Sequence, residues 1–184
     1  LSLVVDGFED NDIAEYSGDT GDFTVQNSVV KEGTYSLKAN AVSQSLITST
    51  SGLDNYPARG DTVEWWQRDG GGEMIFMGAD ADNFYQTLLN IGADGIRIRK
   101  TSNGDTNNSD LSTASVTLSS GTWYYNRLKL ADDGSGDMTY TVFDDDPDSG
   151  GSKLKSITAS DSQYGTGLFG FRNGTGQIAY LDSV

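Results

Sequence analysis

The 184-residue chain carries 22 aspartates and five glutamates against 12 basic residues, a net charge of −15. Such a field repels phosphate backbones and anionic lipid, which excludes generic nucleic-acid or membrane-surface binding. Hydrophobic residues at 35% with 23 glycines suffice for a packed core, while no stretch approaches the ~18 consecutive apolar residues of a membrane span.

Val5–Ala39 sets a short apolar entry and a carboxylate-rich turn before a strand over Phe23–Val30, a turn at Lys31–Gly33 and a second strand ending at Ala39. Ser45–Thr50 is β-prone, and Gly52–Gly60 is a loop marked by Pro57 and Gly60. Thr62–Arg68 is a strand by its β-branched and aromatic content. Glu73–Met77 and Phe84–Ile91 read as strands around a polar loop, and Asp94-Gly95 marks a tight turn into Ile96–Lys100, where alternation is cleanest. Thr101–Asn108 reads as a polar loop, Ser115–Leu118 as a short strand and Gly121–Leu130 as a long one. Asp132–Asp137 turns the chain into a strand over Met138–Phe143. The acidic run Asp144–Gly151 reads as a solvated loop, since the ligand spacing and distal Glu of an EF-hand are missing. Lys153–Thr158 is the next strand, and Gly167–Arg172 and Gln177–Val184 flank a hairpin signal at Asn173-Gly174.

Turns recur every ~8–14 residues without a sustained helical period, which predicts an all-β, antiparallel two-sheet β-sandwich (jelly roll). Residues 1–184 are expected to form one domain. The chain begins at Leu rather than Met and is expected to be a mature or excised piece of a longer protein.

Three short motifs recur in an ordered pattern: Gly7-Phe8-Glu9, then Glu32–Leu37 (EGTYSL), then Tyr180–Val184 (YLDSV). Together they resemble the concanavalin A-like, laminin G-like jelly rolls of lectins and glucanases, and the neighbouring carbohydrate-binding modules. The aromatic strand with Trp123 and the Gly-rich Leu168–Gly176 stretch are similar to the C-terminal half of laminin G-like domains. The Asp-rich, Lys-poor composition resembles proteins of haloarchaea and their viruses, where salt screens self-repulsion. The same aspartates would also suit a Ca²⁺-loaded surface, because a hard cation takes oxygen ligands. The family resemblance implies a structural Ca²⁺ tying the chain ends, held by Glu9, the backbone around Glu32–Gly33, and Asp182, with Asp6, Asp10 and Asp12 nearby.

Strand alternation sorts a second candidate site. With Leu128 and Leu130 in the core, Trp123, Tyr125, Arg127 and Lys129 face outward; with Ile96 and Ile98 inside, Arg97 and Arg99 face outward. With Val63 and Trp65 inside, Glu64, Trp66 and Arg68 share an outer face. Trp66, Arg68, Arg97, Arg99, Tyr125 and Arg127 are therefore the expected ligand-binding residues: rings stack on apolar sugar faces, and arginine forks pair with carboxylate or sulfate. The resemblance implies the same region, since jelly-roll lectins use a concave sheet or its rim loops. The structural alternative is that loops cover Trp66 and Tyr125 and that the arginines pair with surplus aspartates.

Catalytic chemistry finds little support. The chain has no cysteine and no histidine, which removes disulfides, the commonest general base and a tetrahedral zinc site. A glycosidase needs two carboxylates across a cleft; only Glu64 and Glu73 are placed for that role, and the Glu-x-Asp-x-x-Glu pattern of glucanases is absent. Sequons at Asn107–Ser109 and Asn173–Thr175 fall in expected loops, a hint of export.

The expected function is a non-enzymatic, lectin-like domain on an extracellular protein, at the cell or virion surface, of a halophile. Its partner would be a glycan or a glycosylated cell-surface protein, bound in adhesion or attachment. The rival is a purely structural spike, fibre or decoration module contacting other chains of a surface assembly. A glycan-active enzyme domain comes third.

Overall fold

A computed structural model describes residues 5–40, 44–104, 108–174 and 177–184. Among these, fourteen strands form two seven-stranded antiparallel sheets packed as a sandwich, with no α-helix. Strands are numbered in chain order. Sheet A runs β12 (Lys153–Ser160), β11 (Asp137–Phe143), β10 (Trp123–Leu130), β5 (Thr62–Arg68), β14 (Ala179–Asp182), β3 (Ser36–Ala39) and β2 (Phe23–Gln26). Sheet B runs β1 (Ser17–Gly18), β4 (Ser45–Ser49), β13 (Phe169–Asn173), β6 (Gly72–Asp80), β7 (Asn83–Asn90), β8 (Gly95–Thr101) and β9 (Asn108–Ser115).

Alternation builds the core. Leu37, Val63, Trp65, Leu128, Tyr140 and Leu181 point inward from sheet A to meet Ile47, Met74, Phe76, Tyr85, Ile98 and Phe171 from sheet B. Each such side chain, removed from water, contributes ~1.5–3 kcal/mol. Trp65 stacks on Tyr140 at 5.7 Å between centroids. The Tyr140 hydroxyl donates to Asn126 Oδ1 at 2.7 Å, so this polar pair is satisfied within the core.

The two ends of the chain meet. The Val5 and Asp6 amides donate to the Val184 carbonyl at 2.8 and 2.9 Å, and the Val184 amide returns a bond to Asp6 O at 3.0 Å. The motifs at the start and finish of the sequence are thereby brought to one end of the sandwich.

Four elements differ from expectation. The strand expected over Phe23–Val30 stops at Gln26, whose side chain takes the amides of Ser28 and Val29 at 2.8 and 3.0 Å and starts a loop. Asn108–Ser115 is the edge strand β9, where the expected loop ends at Asn108 and no element is expected over 109–114, while Ser115–Leu118 contains no strand beyond Ser115. An edge strand with no buried position has no apolar alternation to announce it. Asn173-Gly174 does not close a hairpin, because β13 and β14 lie in different sheets and the chain crosses between them.

Candidate functional site

The terminal clasp forms, but its carboxylates meet donors. Both Glu9 oxygens accept from the Thr34 amide, at 2.9 and 3.1 Å, and Oε1 also accepts from Tyr35 N at 3.1 Å. These bonds hold the Glu9 carboxyl below the usual carboxylate range. Gly33 lies directly beneath it: a Cβ there would stand 2.3 Å from Glu9 Oε1, and its φ of +64° also favours glycine. Asp182, 0% exposed, accepts from Lys31 N at 2.7 Å and Glu32 N at 3.2 Å. Burial pushes its carboxyl up, against those bonds. Asp6 accepts from Phe8 N at 2.7 Å and from the Tyr16 hydroxyl at 2.8 Å, and burial pushes it up to about 6.

This arrangement does not fit a cation shared by Glu9, Gly33, Asp182 and Asp6. The oxygens face N–H and O–H donors, and the three carboxylates do not converge. Among the described residues the carboxylates that come together are Asp10, Asp12 and Glu15, with oxygens within 4.8 Å of one another at the surface. The chain ends are joined by backbone bonds, and the Asp182 and Glu9 carboxylates accept from amides of Lys31, Glu32, Thr34 and Tyr35 to hold that turn against them.

The outer face of sheet A holds four of the six expected ligand residues. Register pairs Trp66 with Tyr125, Glu64 with Arg127, and Arg68 with Trp123 across β5 and β10. Trp66 is on that face yet only 2% exposed. The Lys31 ammonium stands 4.0 Å above its ring, Glu32 accepts its Nε1–H at 2.9 Å, and Tyr125 meets it edge-on at 5.0 Å. The loop held by Asp182 is therefore the lid that closes Trp66. Arg127 donates through Nε to Glu64, which Tyr125 also bonds. Trp66, Tyr125 and Arg127 thus form a closed cluster, and the ring of Trp66 offers no free face.

One register step along, the face is open. Trp123, Arg68, Tyr180 and Lys38 lie side by side on β10, β5, β14 and β3, each partly exposed. Of this row, Tyr180 lines a cleft of about 380 Å³ together with Asp69, Gly70, Ile91, Gly92, Ser120, Gln177 and Ile178. Asp69 shapes its wall: burial opposes ionisation, but bonds from Gly121 N at 2.6 Å, Ser120 Oγ at 2.7 Å and Arg68 Nε at 3.2 Å hold its carboxyl low. Gly70 lets the turn pass, since a Cβ there would lie 2.4 Å from Ile178 O. Ile178, 39% exposed, gives the cleft an apolar side. Sequence reasoning placed Arg68 and Trp123 here and missed Tyr180 and Lys38; alternation of buried Ala179 and Leu181 about Tyr180 was the available signal.

Arg97 and Arg99 belong to the other sheet. On the outer face of sheet B, Arg97 Nη1 and Arg99 Nε bond Asp110 at 3.0 and 2.8 Å, and Arg99 approaches Glu73 at 3.7 Å. Glu73 also pairs with buried Arg172 at 3.3 Å. Beside this ladder Gln86 is fully buried, and both its side-chain polar atoms lack a hydrogen-bond partner among the described residues. Glu64 and Glu73 thus stand on opposite sheets, not across one cleft. Asn173 of the second sequon is 1% exposed, its Nδ2 donating to Asn40 O and Gln177 O at 2.7 Å each, so it is no glycan acceptor in this fold. Asn107 of the first sequon lies outside the described residues.

No family model and no curated protein sequence matches the chain. Solved structures do match. The carbohydrate-binding module CBM66 from Bacillus subtilis aligns over 100% of this chain and 99% of its own, with a TM-score of 0.65 and 16% identity. A legume lectin-like domain from Entamoeba histolytica aligns over 89% and 88%, with a TM-score of 0.55 and 10% identity. The exoplasmic/lumenal domain of VIP36, in its Ca²⁺-bound form, aligns over 94% and 84%, with a TM-score of 0.54 and 11% identity. The chain therefore has the all-β fold of carbohydrate-binding modules and lectins, and at these identities the likeness extends to the fold alone. None of the helices described is long and apolar enough to cross a membrane.

Proposed function

We propose that residues 1–184 act as one non-catalytic, glycan-binding module of an extracellular protein, displayed at a cell or virion surface for attachment. The observation that carries this reading is the open row on sheet A. Trp123 and Tyr180 are held by strand register on either side of Arg68, and Tyr180 lines a sugar-sized cleft. Two rings supply apolar faces for stacking, while Arg68, Gln177 and Ser120 supply polar atoms to fix orientation, the combination a small polar ligand requires. The lectin-like fold of the structural relatives supports the same class of ligand. Of the residues expected from sequence, Arg68 remains at this site; Trp66, Tyr125 and Arg127 form the closed cluster farther along the same strands.

The acidic surface supports a salty working medium, in which screening offsets self-repulsion. Calcium has no part in the site as proposed. A second reading, a structural module joining other chains, draws support from Leu154, 36% exposed on the edge strand β12. A glycan panel separates the two. The proposal expects binding to at least one polysaccharide, weakened roughly tenfold by Tyr180→Ala; no binding on any, with a concentration-dependent oligomer in sedimentation, would favour the structural module.

A further inference from the structure

We infer that the row on sheet A selects sugars bearing a carboxylate or sulfate, with the anion held between Arg68 and Lys38 beside the Tyr180 ring. This rests on the glycan-binding reading of that surface and names its ligand class. Tyr180 pairs in register with Arg68 on one side and Lys38 on the other. The two basic residues thus flank Tyr180, each on a neighbouring strand whose backbone runs ~4.8 Å away.

Both cations have donors to spare. Arg68 commits Nε to Asp69 at 3.2 Å with its side chain 31% exposed, and its terminal nitrogens make no hydrogen bond among the described residues. The Lys38 side chain makes no ion pair or hydrogen bond among the described residues, although acids outnumber bases 27 to 12. In a chain so rich in carboxylates, a half-buried lysine without one is a charge left for another molecule. Asp69, the partner of Arg68 Nε, also accepts from Ser120 and Gly121. A neutral sugar is served by the rings and single hydrogen bonds to its hydroxyls, whereas a planar fork and an ammonium on either side of one ring match an anionic substituent. The net charge of −15 opposes such a ligand at long range, but that repulsion decays over a screening length of ~8 Å at physiological salt, and the two cations act at contact.

Paired polymers with one backbone test this directly: dextran against dextran sulfate, and methyl-esterified pectin against polygalacturonate, titrated into the whole 184-residue chain. In ~0.15 M salt we expect the charged member of at least one pair to bind about tenfold more tightly. A preference within the pectin pair alone identifies carboxylate, and within the dextran pair alone sulfate; both support the inference. Lys38→Gln should reduce the preference severalfold without moving the melting midpoint, and Arg68→Gln should do the same even if Asp69 loses its partner. Equal binding of charged and neutral members, still lost in Trp123→Ala, would overturn the anion preference and leave the glycan reading standing. No binding to any of these polymers would also overturn the preference, and the glycan reading would fall with it only if a wider neutral panel failed too.

Discussion

Removing the Asp182 carboxylate should unlatch the loop that covers Trp66. Asp182→Ala deprives the Lys31 and Glu32 amides of the acceptor they reach at 2.7 and 3.2 Å. An amide left without a partner in a buried site costs ~1–3 kcal/mol, and because Lys31 and Glu32 lie near water the lower end applies to each. Relief of the desolvated carboxylate offsets part of that loss, so the net destabilisation is ~1–2 kcal/mol. For a chain of this size that lowers the melting midpoint by roughly 2–8 °C. The same loop carries Lys31 over the Trp66 ring and Glu32 onto its Nε1, so the loss has an optical reporter. In a Trp123→Phe background the remaining tryptophans, Trp65 and Trp66, are both buried, and acrylamide should quench little. Adding Asp182→Ala should expose Trp66 and raise quenching. A clasp of carboxylates and amides also predicts the same midpoint in excess CaCl₂ and in EGTA. Unchanged melting and unchanged quenching in the variant would refute the latch, and a calcium-dependent midpoint abolished by Asp182→Ala would restore a shared cation.

Burial pushes Asp6 up to about 6, above its ordinary unfolded value of ~3.9, so the folded state holds a proton that the unfolded chain has released. Its contribution to stability is present below about pH 4 and lost as pH rises through 6; Asp6→Asn should therefore gain on wild type between pH 4 and 7, and a pH-independent difference in midpoint would reject this. Gly33→Ala should lower the midpoint and speed exchange of the Thr34 and Tyr35 amides, because its Cβ would displace Glu9; unaltered exchange would show that Glu9 does not hold them. KCl should raise the midpoint steeply up to ~0.5 M, the range in which Debye screening relieves repulsion among surplus carboxylates, and a flat response there would remove the salt-adaptation reading.

The faces of individual strands were legible in the sequence because alternation is a local property. Val63 and Trp65, Ile96 and Ile98, and Leu128 and Leu130 are all buried as their spacing predicts. The assembly of those strands was not legible. Residues in β5 and β10 are neighbours through pairings such as Trp66 with Tyr125, far apart in sequence, whereas β8 pairs with β7 and β9 in the opposite sheet. Arg97 and Arg99 are thereby separated from Arg68. The cover on Trp66 was also hidden, because it depends on Asp182 fixing a loop some 150 residues earlier in the chain. The end motifs did announce that Glu9, Gly33 and Asp182 gather near one loop. What composition could not say is that amides, not a cation, answer those carboxylates.

The most direct test of the glycan-binding claim is a fluorescence titration that follows Trp123, the half-exposed member of three tryptophans whose other two are buried. The account predicts a saturable change in emission on adding a polysaccharide that binds, absent in Trp123→Phe and shifted to roughly tenfold higher concentration in Tyr180→Ala. Calorimetric binding of that polysaccharide with silent Trp123 emission, and with full affinity in Tyr180→Ala, would place the ligand elsewhere and contradict the account.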